Sequence, residues 1–541
     1  MATVISEPEI PVEKESTPSP ETSSEISMAD ASMLENRMPE WFRAPRVLPG
    51  FILVLGLVYF FFSFRPLWHT DVWGHMSYGR MICETGSIPE FEPFMPLAEG
   101  VPLVDSAWLS QVIGYGAFVM LGVTAIQFLY AASVTCCLSL FCWRSYRRSH
   151  SFLLTILGCG LLLWVEWQPF MVPRPQLVGV VLFIGLFALL TSRNWHRANW
   201  FVIPLMFAAW ANLHGSFPVG LGLLGAFCLG RMIDVVHRCK GFSIGKRLRA
   251  MSRDTWVRRY FLLLELAAAS ALLNPYGWRL FPEVFQFSTH PNLELILDWE
   301  PLTLRMKQGQ AAAIVGLMLV FLYRFTPRRV SAVEPILLVT LGAAMLWTSR
   351  MLVWWGPVAV YYCVLHGSAI CRRRFGKGDE VSPSPSSSLW AVASLGMIWI
   401  VFAYTPFGLR LIHGIEPEPS RSYSGHTPLG AAQFLYDHAP TGQVFNTSEL
   451  GDYLVWAGPD KLQVFVTSHV HLVPEEVWQH YLQIIQVESG WEDLLDRYGV
   501  NTIVLNTGIH PELVARLRKE SGWKVTYEDE RSIIFQRRRS I

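Results

Sequence analysis

The sequence predicts an α-helical polytopic membrane protein of about eleven transmembrane helices, followed by a C-terminal α/β domain. Three observations predict it. The 541 residues are 51% hydrophobic and only 16% charged, with a mean hydropathy of +0.30, and soluble chains carry more charge than that. Apolar runs recur through the first four-fifths of the chain. The loops between them alternate between basic and acidic, and the 22 Trp and 33 Phe suit the aromatic belts of a membrane protein. The formal net charge of +1 carries no signature of nucleic acid, and none is expected as a partner.

Residues 1–40 are rich in Glu, Ser, Thr and Pro and nearly free of aromatics, which predicts a disordered tail. No charged segment with a short apolar stretch follows Met1, so the first apolar run is expected to be an uncleaved anchor. Runs long enough to span, or nearly so, lie at 47–64, 123–143, 151–166, 177–192, 199–213, 215–236, 260–273, 310–326, 331–348, 351–371 and 389–411. A span needs about 20 residues, so several of these must borrow flanking aromatics. The run at 108–122 is ambiguous, and loop charge decides it. Arg144–Arg148, Arg193–Arg197, His237–Arg259, Arg324–Arg329 and Arg372–Lys377 are basic, as are Arg37, Arg43 and Arg46. Positive loops stay cytoplasmic. All of them fall on one side only if 108–122 does not cross. The expected topology is therefore N-terminus in and C-terminal domain out, in a bacterial inner or plasma membrane.

The expected organisation is a tail at 1–44, a transmembrane domain at 45–411 and an extracytoplasmic domain at 412–541. The last part has β-rich runs at Gln443–Asn446, Leu462–Thr467, Asn501–Asn506, Lys524–Tyr527 and Ser532–Gln536. Helical patterns at Pro474–Val487, Trp491–Tyr498 and Pro511–Lys519 lie between them. About 115 residues suffice for one core. The Ser/Pro tract Val381–Ser388 reads as a linker. The nine cysteines lie mostly in or beside apolar runs and show no zinc spacing, so they read as packing residues.

Polar residues of chemical interest gather in the segments left outside. Asp71, His75 and Gly79 are four apart and share a helix face, so a carboxylate and an imidazole come within reach as a general base or half a metal site. The alternative is an Asp or Thr70 cap with interfacial aromatics. Asp105 precedes an amphipathic helix and could equally be an N-cap. Glu166 opens a turn in which Arg174 stands between two prolines, a stiff cation suited to a phosphate or to lipid headgroups. Trp210–Gly215, with His214, joins two short spans, and its polar groups must be satisfied inside the protein. Asn274–Gly277 reads as a turn, and Glu294, Asp298 and Glu300 as acids on one helix face or a solvated loop. Arg350, at the mouth of two spans, is a second cation suited to a phosphate or to lipid headgroups. No Walker loop, GxGxxG, GxSxG, HExxH or paired CxxC occurs, which argues against ATP-driven, nicotinamide, serine-hydrolase and zinc-protease chemistry.

The segment His69-Thr-Asp71-Val-Trp73-Gly-His75, with Gly79-Arg80 and Gly86-Ser-Ile88-Pro89, resembles the first outer loop of the GT-C superfamily of membrane glycosyltransferases. The similarity is nearest to its bacterial mannosyl- and aminoarabinosyl-transferring branch. Trp108–Gln111, Arg174-Pro-Gln176, Trp210–Gly215, Asn274–Gly277 and Gly451–Leu454 are similar to blocks of that branch, so the resemblance runs over most of residues 45–536. It implies sugar transfer from a polyprenyl-phosphate carrier, without direct use of a nucleotide sugar. It implies that Asp71 acts as base or metal ligand toward the acceptor, with a divalent cation such as Mg or Mn compatible with that role. Two departures stand out. Ser106-Ala107, with Asp105 displaced, replaces the acid usual before Trp-Leu, and Phe465–Ser468 replaces an Asp-Gly-Arg turn. Either bears on acceptor choice or on activity.

The resulting expectation is a glycosyltransferase moving a hexosyl or pentosyl unit to a glycan, lipid or protein acceptor of the envelope. Asp71, His75 and Asp105 are the candidate catalytic residues. Arg80, Arg174, His214, Arg350 and Glu166 are the candidate substrate-binding ones. The alternatives are a non-catalytic scaffold or lipid-linked-glycan binder that keeps the fold, and a transporter. A transporter would place ionisable residues at mid-membrane and show two related halves, and no halves are visible.

Overall fold

The computed structural model of the protein describes residues 39–192, 194–294, 296–376 and 386–538. Most of the expected tail and most of the expected linker lie outside these residues. Ten of the eleven apolar runs coincide with one helix each, and the run 389–411 with two. Eleven consecutive names serve for the first part of the bundle: α1 (Leu48–Ser63), α2 (Asp71–Thr85), α3 (Trp108–Leu121), α4 (Val123–Ser149), α5 (Phe152–Val165), α6 (Gln176–Leu190), α7 (Asn199–Leu213), α8 (Phe217–Arg238), α9 (Thr255–Ala271), α10 (Lys307–Phe325) and α11 (Val333–Trp347). Two more, α12 (Leu352–Phe375) and α13 (Ser388–Ala403), complete it. Among the described residues, α4, α8 and α10 are by themselves long and apolar enough to cross a membrane, and six further apolar helices are shorter. The protein is an integral membrane protein.

The helix α12 is the hub. Every residue from Leu352 to His366 is buried, and it packs against α4, α5, α10 and α11. A helix apolar on all sides must be surrounded, which is where this one lies.

Three sequence expectations need correction. The run 389–411 is not one continuous helix: the chain bends by 88° between α13 and α14 (Pro406–His413). Pro406 excludes helical backbone from Thr405, whose hydroxyl then accepts from Gly408 N–H at 3.2 Å and starts the new helix. Thr70 and Asp71 do not cap α2 with their side chains. Leu462–Thr467 is not a ladder strand, for it makes a single bridge, Val444 to Val464. The Asn446 side chain takes the ladder's place, accepting from Phe465 N–H at 2.8 Å and donating to Val466 O at 2.7 Å.

The ambiguous run forms α3. Its first turn is pinned to the α7–α8 turn by Trp108 Nε1–H on Asn212 Oδ1 (3.0 Å) and Ser110 Oγ–H on Leu213 O (2.7 Å). Just past its other end, Gln127 at the start of α4 donates to Arg65 O and Arg421 O. All these anchors lie on the side of the bundle that carries the C-terminal domain, so α3 runs along that face.

The C-terminal domain is built on a four-stranded sheet of β1 (Gln443–Asn446), β2 (Val500–Asn506), β3 (Trp523–Glu528) and β4 (Ser532–Arg537), in the order β1-β2-β4-β3. The first pair is parallel and the others antiparallel. Its helix α15 (Ser448–Ala457) packs on α2. Arg80 donates to Val455 O and Trp456 O, both at 3.2 Å, and stacks on the Trp456 ring at 4.8 Å. A cation at the last carbonyls of a helix also opposes its dipole.

Candidate active site

The first turn of α2 is fixed from the C-terminal domain. Thr70 Oγ1–H donates to Asp452 Oδ2 at 2.9 Å, and Asp452 lies against Gly74, where a Cβ would stand 2.7 Å from Oδ1. Gly79 permits an equally close approach on the other side. A Cβ there would run into Gln111 O and come within 3.0 Å of Tyr115, so only glycine lets α3 lie against α2.

Arg174 is the centre of the ionic network. Its Nε is 2.6 Å from Asp71 Oδ2, its Nη1 donates to Asp298 Oδ2 at 2.6 Å, and its Nη2 to His69 Nε2 at 2.7 Å. Guanidinium can only donate, so His69 Nε2 accepts and the ring proton sits on Nδ1, 3.1 Å from Asp71 Oδ1; the longer 3.3 Å approach of Asp71 N–H to Nδ1 is then a contact and not a hydrogen bond. Burial pushes both carboxyls up, but Arg174 outweighs it. Asp298 is held below the usual carboxylate range and Asp71, with His69 helping, well below.

A cleft opens beside this network. Arg174 and Arg350 line it with Gln168, Gln176 and Ser349, and Leu177, Val180 and Val353 form its apolar wall. The N-termini of α6 and α12 begin at its edge, which adds partial positive charge. Arg350 stacks on the Trp299 ring at 4.7 Å and forms no ion pair within 4.0 Å among the described residues. Burial first, then the charge of Arg174, lowers its pKa to about 10. Asp298, which also lines the cleft, and Asp71 offset only part of this, and a buried cation without a contacting ion-pair partner suits an anion.

On the other side of Asp71, His75 and Asp105 are joined through Gln111. The Gln111 amide donates to His75 Nδ1 (3.2 Å) and to Asp105 Oδ1 (3.0 Å), and Ala107 N–H also donates to Oδ1. Burial, followed by the nearby His469 and by Asp71, sets the His75 pKa, which falls to about 3. Burial raises that of Asp105 to about 6. His214 Nδ1 accepts from Ser216 N–H at 3.1 Å. Burial, then Arg350 and Arg174, lowers its pKa to about 3, so the ring is neutral.

The structure thus gathers Asp71, His75, Asp105, Arg174, His214 and Arg350 on one face. Arg80 is not with them. It lies nine residues past Asp71, half a turn round α2, and holds the C-terminal domain. Glu166 is fully buried against Gly356 of α12, and neither carboxyl oxygen has a hydrogen-bond partner among the described residues. Four participants escaped the sequence reading. Asp298 stood in an acidic stretch that a solvated loop explains equally well. His69 was visible only as part of a motif. His469 and Asp452 come from the C-terminal domain, more than 380 positions from Asp71; Asp452 was visible only as part of the Gly451–Leu454 motif, and His469 had no local pattern to mark it. A resident divalent cation fits this arrangement poorly: both Asp71 oxygens are engaged, and no group of three or more His, Cys, Asp or Glu among the described residues could hold a metal ion.

No protein family and no curated protein matches the chain by sequence. Solved structures do match by shape. The Archaeoglobus fulgidus oligosaccharyltransferase AglB, in complex with an inhibitory peptide and a dolichol-phosphate, aligns at a TM-score of 0.54 and 10% identity, over 85% of this chain and 69% of that one. The same archaeal enzyme tethered to an acceptor peptide aligns at 0.53 and 11% identity, over 86% and 70%. This chain has the GT-C fold. ArnT from Cupriavidus metallidurans bound to undecaprenyl phosphate aligns at 0.48 and 13% identity, over 90% and 97%. Within the GT-C fold, the cleft and its two arginines lie at the bundle end that meets the C-terminal domain.

Proposed function

We propose that the protein transfers a sugar from a polyprenyl-phosphate carrier to an envelope acceptor, on the outer face of the membrane. The observation that carries this reading is the unpaired Arg350 beside Arg174, in a cleft with a polar floor and an apolar wall. A phosphate joined to a polyprenyl tail presents that combination of charge and apolarity. The similar archaeal fold was solved with an inhibitory peptide and a dolichol-phosphate, which supports the same class of donor. The basic loops on the opposite side support the outward placement.

The residues divide the work. Arg350 and Arg174 hold the phosphate and stabilise the charge it gains as a leaving group. Asp71 fixes Arg174 and offers negative charge to the anomeric carbon as that centre becomes electron-poor. Transfer of label from polyprenyl-phosphate sugars should fall about 100-fold or more in Asp71→Asn, with carrier binding retained. Undiminished transfer in that variant would discard the role. The saturation of Arg174 by Asp71, Asp298 and His69 favours a second reading, a binder of lipid-linked glycan. Stoichiometric carrier binding with no turnover by the wild type would select it.

A further inference from the structure

We infer that Asp105 Oδ2, rather than Asp71, takes the proton from the acceptor hydroxyl; this rests on the transfer reading above. The argument is one of available atoms. Each Asp71 oxygen already faces a positive or N–H group, Arg174 on one and the His69 Nδ1 proton on the other, and this ion pair holds its proton affinity well below the usual carboxylate range. His69 Nε2 already accepts from Arg174. His75 Nδ1 accepts from Gln111, so its proton is on Nε2 and that atom can only donate. The Gln111 amide cannot be reversed, because its oxygen would then face Asp105 Oδ1 at 3.0 Å. His214 Nδ1 is taken by Ser216 N–H.

Asp105 differs. Oδ1 accepts two hydrogen bonds, while Oδ2 is buried and has no partner among the described residues, in a side chain only 7% exposed. A buried carboxylate oxygen without a donor is costly, and an arriving hydroxyl would satisfy it. Its titratable neighbours are His75 and Tyr78 from α2, His469 from the C-terminal domain and Tyr276 from the turn after α9. Tyr78 donates its proton to Glu92, and the Tyr276 hydroxyl accepts from Asp105 N–H, so neither offers a free base. His469 Nδ1 is also buried without a partner among the described residues, so it is the competing base, and loss of transfer in His469→Gln with Asp105→Asn active would select it. Burial also gives Asp105 the higher proton affinity of the two aspartates, and environments that separate two carboxyls in this way assign them different tasks.

The step balances. The acceptor oxygen bonds to the anomeric carbon as its proton passes to Asp105 Oδ2. The bond from that carbon to the carrier phosphate breaks, and its electron pair leaves on the phosphate oxygen, held by Arg174 and Arg350. Protonated Asp105 then returns the proton to solvent.

The test uses the full chain in detergent with a panel of labelled polyprenyl-phosphate hexoses and pentoses, reading sugar release to water or to glycerol. Wild-type kcat/KM should fall on the acid side of about pH 6, as Asp105 is protonated. Asp105→Asn should lose about 100-fold or more at every pH, with KM for the carrier nearly unchanged, and formate should restore part of the activity to Asp105→Ala. Gln111→Leu removes a hydrogen bond that favours charged Asp105, so the acid limb should move to higher pH. That variant also serves if Asp105→Asn fails to fold. Near-wild-type turnover in Asp105→Asn, or an unmoved limb in Gln111→Leu, overturns the assignment and leaves sugar transfer standing. A wild type that releases no sugar from any donor removes the transfer reading, and this one with it.

Discussion

Arg350→Gln should make the empty protein no less stable while abolishing its response to the carrier. The fall of the guanidinium from its ordinary range to about 10 exceeds two powers of ten in proton affinity. At about 1.4 kcal/mol per power, holding the charge there costs roughly 3 kcal/mol. The sign follows from the direction. A cation with a depressed folded pKa destabilises the fold at every pH below that value, which includes the neutral range. Glutamine removes this cost and loses the stacking on Trp299, about 1–2 kcal/mol. The net change in the empty protein is a gain of about 1 kcal/mol. Carrier binding should weaken by roughly 2–5 kcal/mol, the range for truncating one partner of a desolvated charge pair. Thermal unfolding in detergent, with and without polyprenyl phosphate, reads both effects. Carrier at about 100 times its Kd adds roughly 2.7 kcal/mol to the wild type and little to the variant. An Arg350→Gln protein that keeps the full carrier-induced rise in Tm would show that the phosphate is held elsewhere.

Three other outcomes follow from the geometry. Gly79→Ala forces α2 away from Gln111 and Tyr115 and should cost about 1–3 kcal/mol by thermal unfolding, while a glycine that touches nothing, such as Gly116 on α3, should tolerate alanine. Asp452→Ala removes the tie to Thr70, which should speed amide exchange in the first turn of α2 and lower sugar transfer without loosening carrier binding. Asp71 has a depressed folded pKa, so its contribution to stability is fully present above about pH 4, the unfolded range, and is lost progressively as pH falls from there through the folded pKa; the stability gap between wild type and Asp71→Asn should therefore narrow steadily below about pH 4.

Much of the bundle was legible in sequence because burial in lipid demands long apolar helices, and their period survives without any knowledge of neighbours. The Leu352–Phe375 helix was visible as apolar, but its place at the hub was not, since composition does not say what surrounds a helix. The break at Thr405-Pro406 carried a local signal, and the long apolar run on either side masked it. In the C-terminal domain, four of the five β-rich runs form strands. The fifth failed because Asn446, a side chain from another strand, supplies the hydrogen bonds that a ladder would.

The sequence alone determined a membrane-embedded helical chain with an α/β end, and it marked Asp71, Arg174 and Arg350 as charges in unusual settings. It did so because hydropathy and prolines act over a few residues. Only the tertiary structure decided that Arg174 bridges two aspartates, that Arg350 stays unpaired, that Arg80 serves the domain contact and that Asp105 keeps a free oxygen. Charge pairing depends on distances of a few ångströms between residues as far apart as 71, 174, 298 and 350, and no local pattern encodes those distances.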